Sequence, residues 1–136
     1  MSFVLDGSMT LAWCFADEAT PFSDGVLVRL SSSDAAAPAI WPLEVANVLL
    51  LAERRRRITQ AQAEAFVRLL RTLAIAVDPG APTAVWGAIM AVARRYQLTA
   101  YDAAYLELAL REGLPMATLD ARLRAAATAA GVPLVA

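Results

Sequence analysis

Phe3-Val4-Leu5-Asp6-Gly7-Ser8 carries the reading on which the fold turns. Three apolar residues run without alternation, an acid follows, and Gly-Ser closes the run as a turn. A strand with one wet face alternates apolar with polar, whereas a strand covered on both faces reads as a continuous apolar run. The same layout recurs in Ala37-Pro38-Ala39-Ile40-Trp41, in Ile75-Ala76-Val77 before Asp78-Pro79-Gly80, in Leu114-Pro115-Met116-Ala117-Thr118, and in Val132 to Val135 after Gly131. Helix-compatible segments lie between these runs: Met9 to Ala16, Ser23 to Leu30, a segment from Pro42 carrying Val45, Val48, Leu49 and Ala52, and Leu119 to Ala130. Thr59-Gln60-Ala61-Gln62 matches a capping box ahead of Phe66, Leu69, Leu70 and Leu73. Pro82 begins a helix with Val85, Ile89, Val92 and Tyr96 in register. Thr99 to Asp102 repeats the capping-box pattern, and the segment Ala103 to Leu110 is apolar nearly all round, which predicts deep burial up to Gly113. Alternation of short apolar strands with helices argues for a parallel sheet sandwiched between helices, an α/β layer stack.

The chain has 136 residues, enough for one domain with a core of its own. It is 59% hydrophobic, too apolar for disorder. No stretch reaches the roughly 18 uncharged apolar residues of a membrane span. The excluded chemistry is wide. There is no histidine, one cysteine (Cys14), and all 12 basic residues are arginine. Ser-His-Asp and Cys-His catalysis, histidine zinc sites, lysine Schiff bases, the P-loop lysine and CxxC redox pairs therefore fall away. The N-terminus lacks a basic n-region, so no signal peptide is read, and a cytoplasmic location is expected. A net charge of −1 gives no global field for nucleic acid.

Four of the 13 acids stand apart. Asp6 follows Phe3-Val4-Leu5, Glu44 follows Ile40-Trp41-Pro42-Leu43, Asp102 opens the most apolar helix, and Asp120 follows Met116-Ala117-Thr118-Leu119. Each sits at a strand exit or helix start. In a parallel sheet, Asp6, Asp120 and the Glu44 helix start share the carboxyl edge, where α/β folds bind ligands. Each acid also has a plainer reading as a helix cap or as a charge favoured at a helix N-terminus. Together they are harder to dismiss. Converging carboxylates repel, and a desolvated cluster costs several kcal/mol unless a cation compensates. Mg²⁺ and Mn²⁺, which take oxygen ligands, suit such a cluster.

On these residues the chain resembles the PIN-domain family, and within it the VapC-type toxins of toxin–antitoxin modules. The resembling segments are Phe3 to Ser8, Pro42-Leu43-Glu44-Val45-Ala46-Asn47-Val48-Leu49, Leu98 to Ala109, and Ala117-Thr118-Leu119-Asp120. The resemblance implies a three-layer α/β/α sandwich with a mainly parallel sheet of four to five short strands, formed as a single domain over residues 1–136. It implies an acidic quartet of Asp6, Glu44, Asp102 and Asp120 that binds Mg²⁺ or Mn²⁺ for RNA hydrolysis. Asp6 and Asp102 are then the direct ligands, with Glu44 and Asp120 completing the site partly through water. Ser8 and Thr118 match positions where a hydroxyl sits near the metal. Asn47 lies one turn from Glu44 on the same helix face. For these three the plainer reading is capping or turn bonding. A VapB-type antitoxin in the active-site groove, an RNA substrate, a homodimer and no membrane are the implied partners.

Arg54 to Arg57 form the one dense basic run. It reads as a solvated helix end, as an RNA phosphate contact, or as a landing site for an acidic antitoxin segment. Trp13, Trp41, Trp86 and Phe66 are expected in core or dimer packing, and Cys14 as a small buried hydrophobe. A haloacid-dehalogenase-like phosphatase needs a second Asp where Ser8 stands, and a lysine; a receiver domain needs the lysine too. The remaining competitor is a PIN-like fold that binds RNA or protein without turnover.

Overall fold

The computed structural model describes residues 2–136. Its sheet contains β1 (Phe3–Leu5), β2 (Ala35–Ala37), β3 (Ile75–Val77) and β4 (Met116–Ala117), all parallel, in the order β3-β2-β1-β4. The chain steps outward from β1 to β2 to β3, then crosses back and lays β4 on the other side of β1. The switch point therefore lies between β1 and β4, and the crevice beyond their carboxyl ends is where this topology binds ligands. All three β1 residues are fully buried, as their unalternating pattern requires.

The helices α1 (Gly7–Ala12), α2 (Pro21–Arg29), α3 (Trp41–Arg54), α4 (Gln60–Thr72), α5 (Pro82–Ala84), α6 (Met90–Tyr96), α7 (Ala100–Glu112) and α8 (Ala121–Ala129) flank this sheet. Helix α7 packs on β1, α6 and α8, and its residues Ala103 to Ala109 are buried without a break. Thr99 caps it, and Gly113 ends it in the left-handed conformation at φ +65°, which a side chain would strain.

Four expectations need correction. The second strand is Ala35–Ala37, not residues 37 to 41. Its alanines are poor strand formers, but they are paired on both sides by β1 and β3, and tertiary pairing overrides propensity. Ile40 and Trp41 instead lead into α3, whose first turn holds Pro42. Strand β3 is an edge strand and is not covered on both faces: Val77 is 42% exposed. The expected last strand reduces to a single parallel bridge between Met116 and Leu134. Finally, the helix from Pro82 is not uniform, because a π-helical turn at Val85–Ile89 separates α5 from α6.

Candidate functional site

Asp6 ends β1 and caps α1. Its Oδ1 accepts the Met9 amide at 2.9 Å. The Ser8 hydroxyl donates to both carboxylate oxygens at 2.8 and 2.9 Å, and the Thr118 hydroxyl donates to Oδ2. These hydroxyls are held in turn by the turn after β4: the Leu119 amide donates to Ser8 Oγ at 3.0 Å and the Asp120 amide to Thr118 Oγ1 at 3.0 Å. Asp6 is 3% exposed. Burial pushes its carboxyl up to about 6, the Thr118, Met9 and Ser8 hydrogen bonds oppose the rise, and the charge of Asp120 adds to it.

Asp120 caps α8 through the Leu123 amide at 2.9 Å. Asp102 lies in the first turn of α7, where its amide donates to Thr99 Oγ1 at 3.1 Å; the return bond of a full capping box is not made. Burial raises the Asp102 carboxyl, and the Asp120 charge raises it further. Asp120 thus faces both of the other aspartates electrostatically. Glu44 sits in the first turn of α3 and accepts the Tyr105 hydroxyl at 2.6 Å. Burial pushes the Tyr105 phenol well above its ordinary range, followed by the Glu44 bond and the charges of Glu44, Asp6 and Asp102. Glu44 thus touches the phenol directly, while Asp6 and Asp102 act on it through their charge.

Sequence reasoning missed Tyr105. The available signal was a phenol three residues after Asp102 in a helix apolar nearly all round, since a buried tyrosine hydroxyl needs a partner. It also missed Thr10 and Trp41. Trp41 Nε1 donates to Thr10 Oγ1 at 2.9 Å, and Thr10 Oγ1 donates to the Asp6 carbonyl at 2.7 Å, tying the start of α3 to the end of β1.

The donor set is entirely hard oxygen. Among the described residues no three carboxylates stand close enough to form a finished metal cage. Mg²⁺ needs no such cage, because one or two carboxylates and several waters usually complete its shell. The Asp120 charge adds to the raised carboxyls of Asp6 and Asp102, an excess of negative charge that a small divalent cation offsets, so the residues present fit one.

Other expected residues lie elsewhere. Asn47 is exposed and bonds to none of the four acids among the described residues. Arg54 lies ten residues along α3 from Glu44, a rise of about 15 Å, so the arginine run is at the far end of that helix. Arg57 is already engaged: it bridges Asp17 and Glu18 at 2.7 and 2.9 Å and stacks 3.8 Å from the Phe15 ring centre. Phe66 and Trp41 are buried as expected, whereas Trp86, on the π-helical turn, is 73% exposed and takes no part in the core. Cys14 is half-buried. A cavity of about 540 Å³ opens on the carboxyl side of β2 and β3, with the Glu107–Arg111 pair in its lining.

A family model for the PIN domain matches residues 3–129. The chain belongs to the PIN domain family. Two solved structures superpose on this PIN domain. PAE2754 from Pyrobaculum aerophilum is 24% identical with a TM-score of 0.71, covering 93% of this chain and 84% of its own. VapBC2 from Rickettsia felis, determined bound to a DNA fragment from its promoter, is 11% identical with a TM-score of 0.71, covering 99% of this chain and 98% of the matched one. At such identities the likeness is one of fold. None of the curated proteins matches the sequence of this PIN domain. No helix among its described residues is long and apolar enough to cross a membrane.

Proposed function

We propose that this PIN domain is a Mg²⁺- or Mn²⁺-dependent endoribonuclease, the toxin of a VapBC-type pair, with residues 1–136 forming a single domain. The observation that carries the reading is the buried Asp6 carboxylate at the β1/β4 switch point: the Asp120 charge acts on both Asp6 and Asp102, and Asp6, Asp102 and Glu44 act on the Tyr105 phenol. Asp6 and Asp102 would hold the ion directly, with Glu44 and Asp120 completing the site, partly through water. The chemistry that a bound Mg²⁺ or Mn²⁺ supplies is water activation at neutral pH and neutralisation of charge on the phosphoryl oxygens.

The chain's own residues do the rest. Ser8 and Thr118 fix the rotamer of Asp6, and the turn amides of Leu119 and Asp120 fix Ser8 and Thr118. With no histidine in the chain, an imidazole pair driving 2′-hydroxyl attack is excluded. Exposed arginines must make the phosphate contacts, and Arg54, Arg55 and Arg56 remain open for flanking nucleotides or an acidic antitoxin segment. A VapB-type antitoxin, a homodimer and a cytoplasmic setting complete the proposal.

The experiment is cleavage of defined RNAs with Mg²⁺ or Mn²⁺, with and without EDTA, by wild type and Asp6→Asn. Cleavage by wild type alone, abolished by EDTA, is the expected result. No cleavage of any RNA class points to the binding module without turnover.

A further inference from the structure

We infer that Tyr105 is a positioning residue whose hydroxyl holds the Glu44 carboxylate of α3 against the aspartates delivered by β1 and α7. The inference rests on reading those acids as a cation site, and it assigns a role to a residue outside the quartet.

The geometry is specific. The Tyr105 ring is buried at 2% exposure, and its hydroxyl reaches across from α7 to Glu44 Oε1 at 2.6 Å. A phenylalanine would fill the same core volume. The hydroxyl is therefore retained for its bond, and that bond goes to a carboxylate on another helix. Glu44 itself is partly exposed at a helix start, and among the described residues this is the one hydrogen bond of its side chain. Without it, the side chain is free to turn toward water and recover its rotamer entropy. The same hydroxyl lies beside Gly7, where an added Cβ would stand 3.9 Å from it, so it borders the turn that carries Asp6. It is also one helical turn from Asp102. One phenol thus borders three elements that each deliver an acid. Residues that orient metal ligands from behind typically change metal affinity or activity 10- to 100-fold when removed.

The test is Mn²⁺ binding by calorimetry to the full chain, for wild type, Tyr105→Phe, Glu44→Gln and the double variant, with thermal melts of each in EDTA. Tyr105→Phe is expected to stay folded and to weaken Mn²⁺ binding by about 10- to 100-fold. The double variant should bind no more weakly than Glu44→Gln alone, because the hydroxyl acts through that carboxylate. Glu44→Asp, which keeps the charge but withdraws it from the hydroxyl, gives an independent reading and should show a comparable loss. Wild-type affinity in a folded Tyr105→Phe or in Glu44→Asp, or losses that simply add in the double variant, would overturn the inference alone. No Mn²⁺ binding by wild type overturns the reading of the site together with the inference.

Discussion

Asp6 serves two ends that pull its charge in opposite directions. As a helix cap it prefers to be ionised; as a residue 3% exposed it is penalised for ionising. Burial wins, and the folded carboxyl titrates at about 6 against an ordinary 3.8. The sign of the linkage follows. Below about pH 4 both folded and unfolded chains carry the proton, and the group costs nothing. Between the two values only the unfolded chain ionises, so stability falls as pH rises. Above about pH 6 both are ionised and the full cost, on the order of 3 kcal/mol, is present. Metal-free Asp6→Asn is therefore expected to be more stable than wild type at pH 7 by about 1–3 kcal/mol, and equal to it near pH 4. Denaturant midpoints in EDTA at the two pH values check this, and a less stable variant at pH 7 contradicts it. Arg57 makes the opposite case, a residue that looked free and is held. Arg57→Ala should lower the melting temperature through loss of its stack on Phe15, and Arg54→Ala should leave it unchanged.

At the scale of elements, helix ends can be tested one by one. The Thr59 hydroxyl accepts the Gln62 amide at 3.1 Å while the Gln62 side chain accepts the Thr59 amide at 2.9 Å, a complete capping box on α4. Thr59→Ala should cost about 1 kcal/mol of stability and leave metal binding unchanged. Helix α6 ends on Gln97 in the left-handed conformation at φ +55°, where glycine carries no side-chain penalty. Gln97→Gly is expected to raise stability by about 0.5–1 kcal/mol, read from denaturant midpoints; a loss would mean that the Gln97 side chain contributes more than its backbone strain costs. The Thr59 cap was legible in the sequence because its chemistry is local: a threonine, three residues, and a partner; the left-handed end at Gln97 was not. The apolar runs of β1 and α7 were legible for the same reason. Strand β2 was not. Three alanines carry no strand signal, and only the ladders to β1 and β3 make them one. Nor was the π-helical turn at Val85–Ile89 legible, since one extra residue in a turn leaves the apolar spacing nearly intact. Of the candidate site, the four acids stood out in the sequence because Asp6 and Asp120 follow strands while Glu44 and Asp102 open helices. The partner of Tyr105 could not be read, because Glu44 lies on a helix 61 positions away in sequence.

Over the whole molecule, a ligand that binds the folded form alone raises its stability by mass action. Mn²⁺ at 100 times its dissociation constant should add about 2.7 kcal/mol to wild type, visible as a rise in melting temperature that EDTA reverses and that Asp6→Asn lacks. An equal rise in both proteins would place the ion elsewhere. The strand order β3-β2-β1-β4 has a further consequence when it is followed in time. A chain emerges from the ribosome N-terminus first. Strands β1, β2 and β3 emerge in sequence and can pair outward as they come. Strand β4 and the turn bearing Thr118 and Asp120 follow last of the sheet, yet they belong beside β1, the first strand made. Until they arrive, one flank of β1 is open and Asp6 has the Ser8 hydroxyl but not that of Thr118. Nascent chains that stop short of residue 116 carry Asp6, Glu44 and Asp102 but neither Asp120 nor the strand that closes the crevice beside β1.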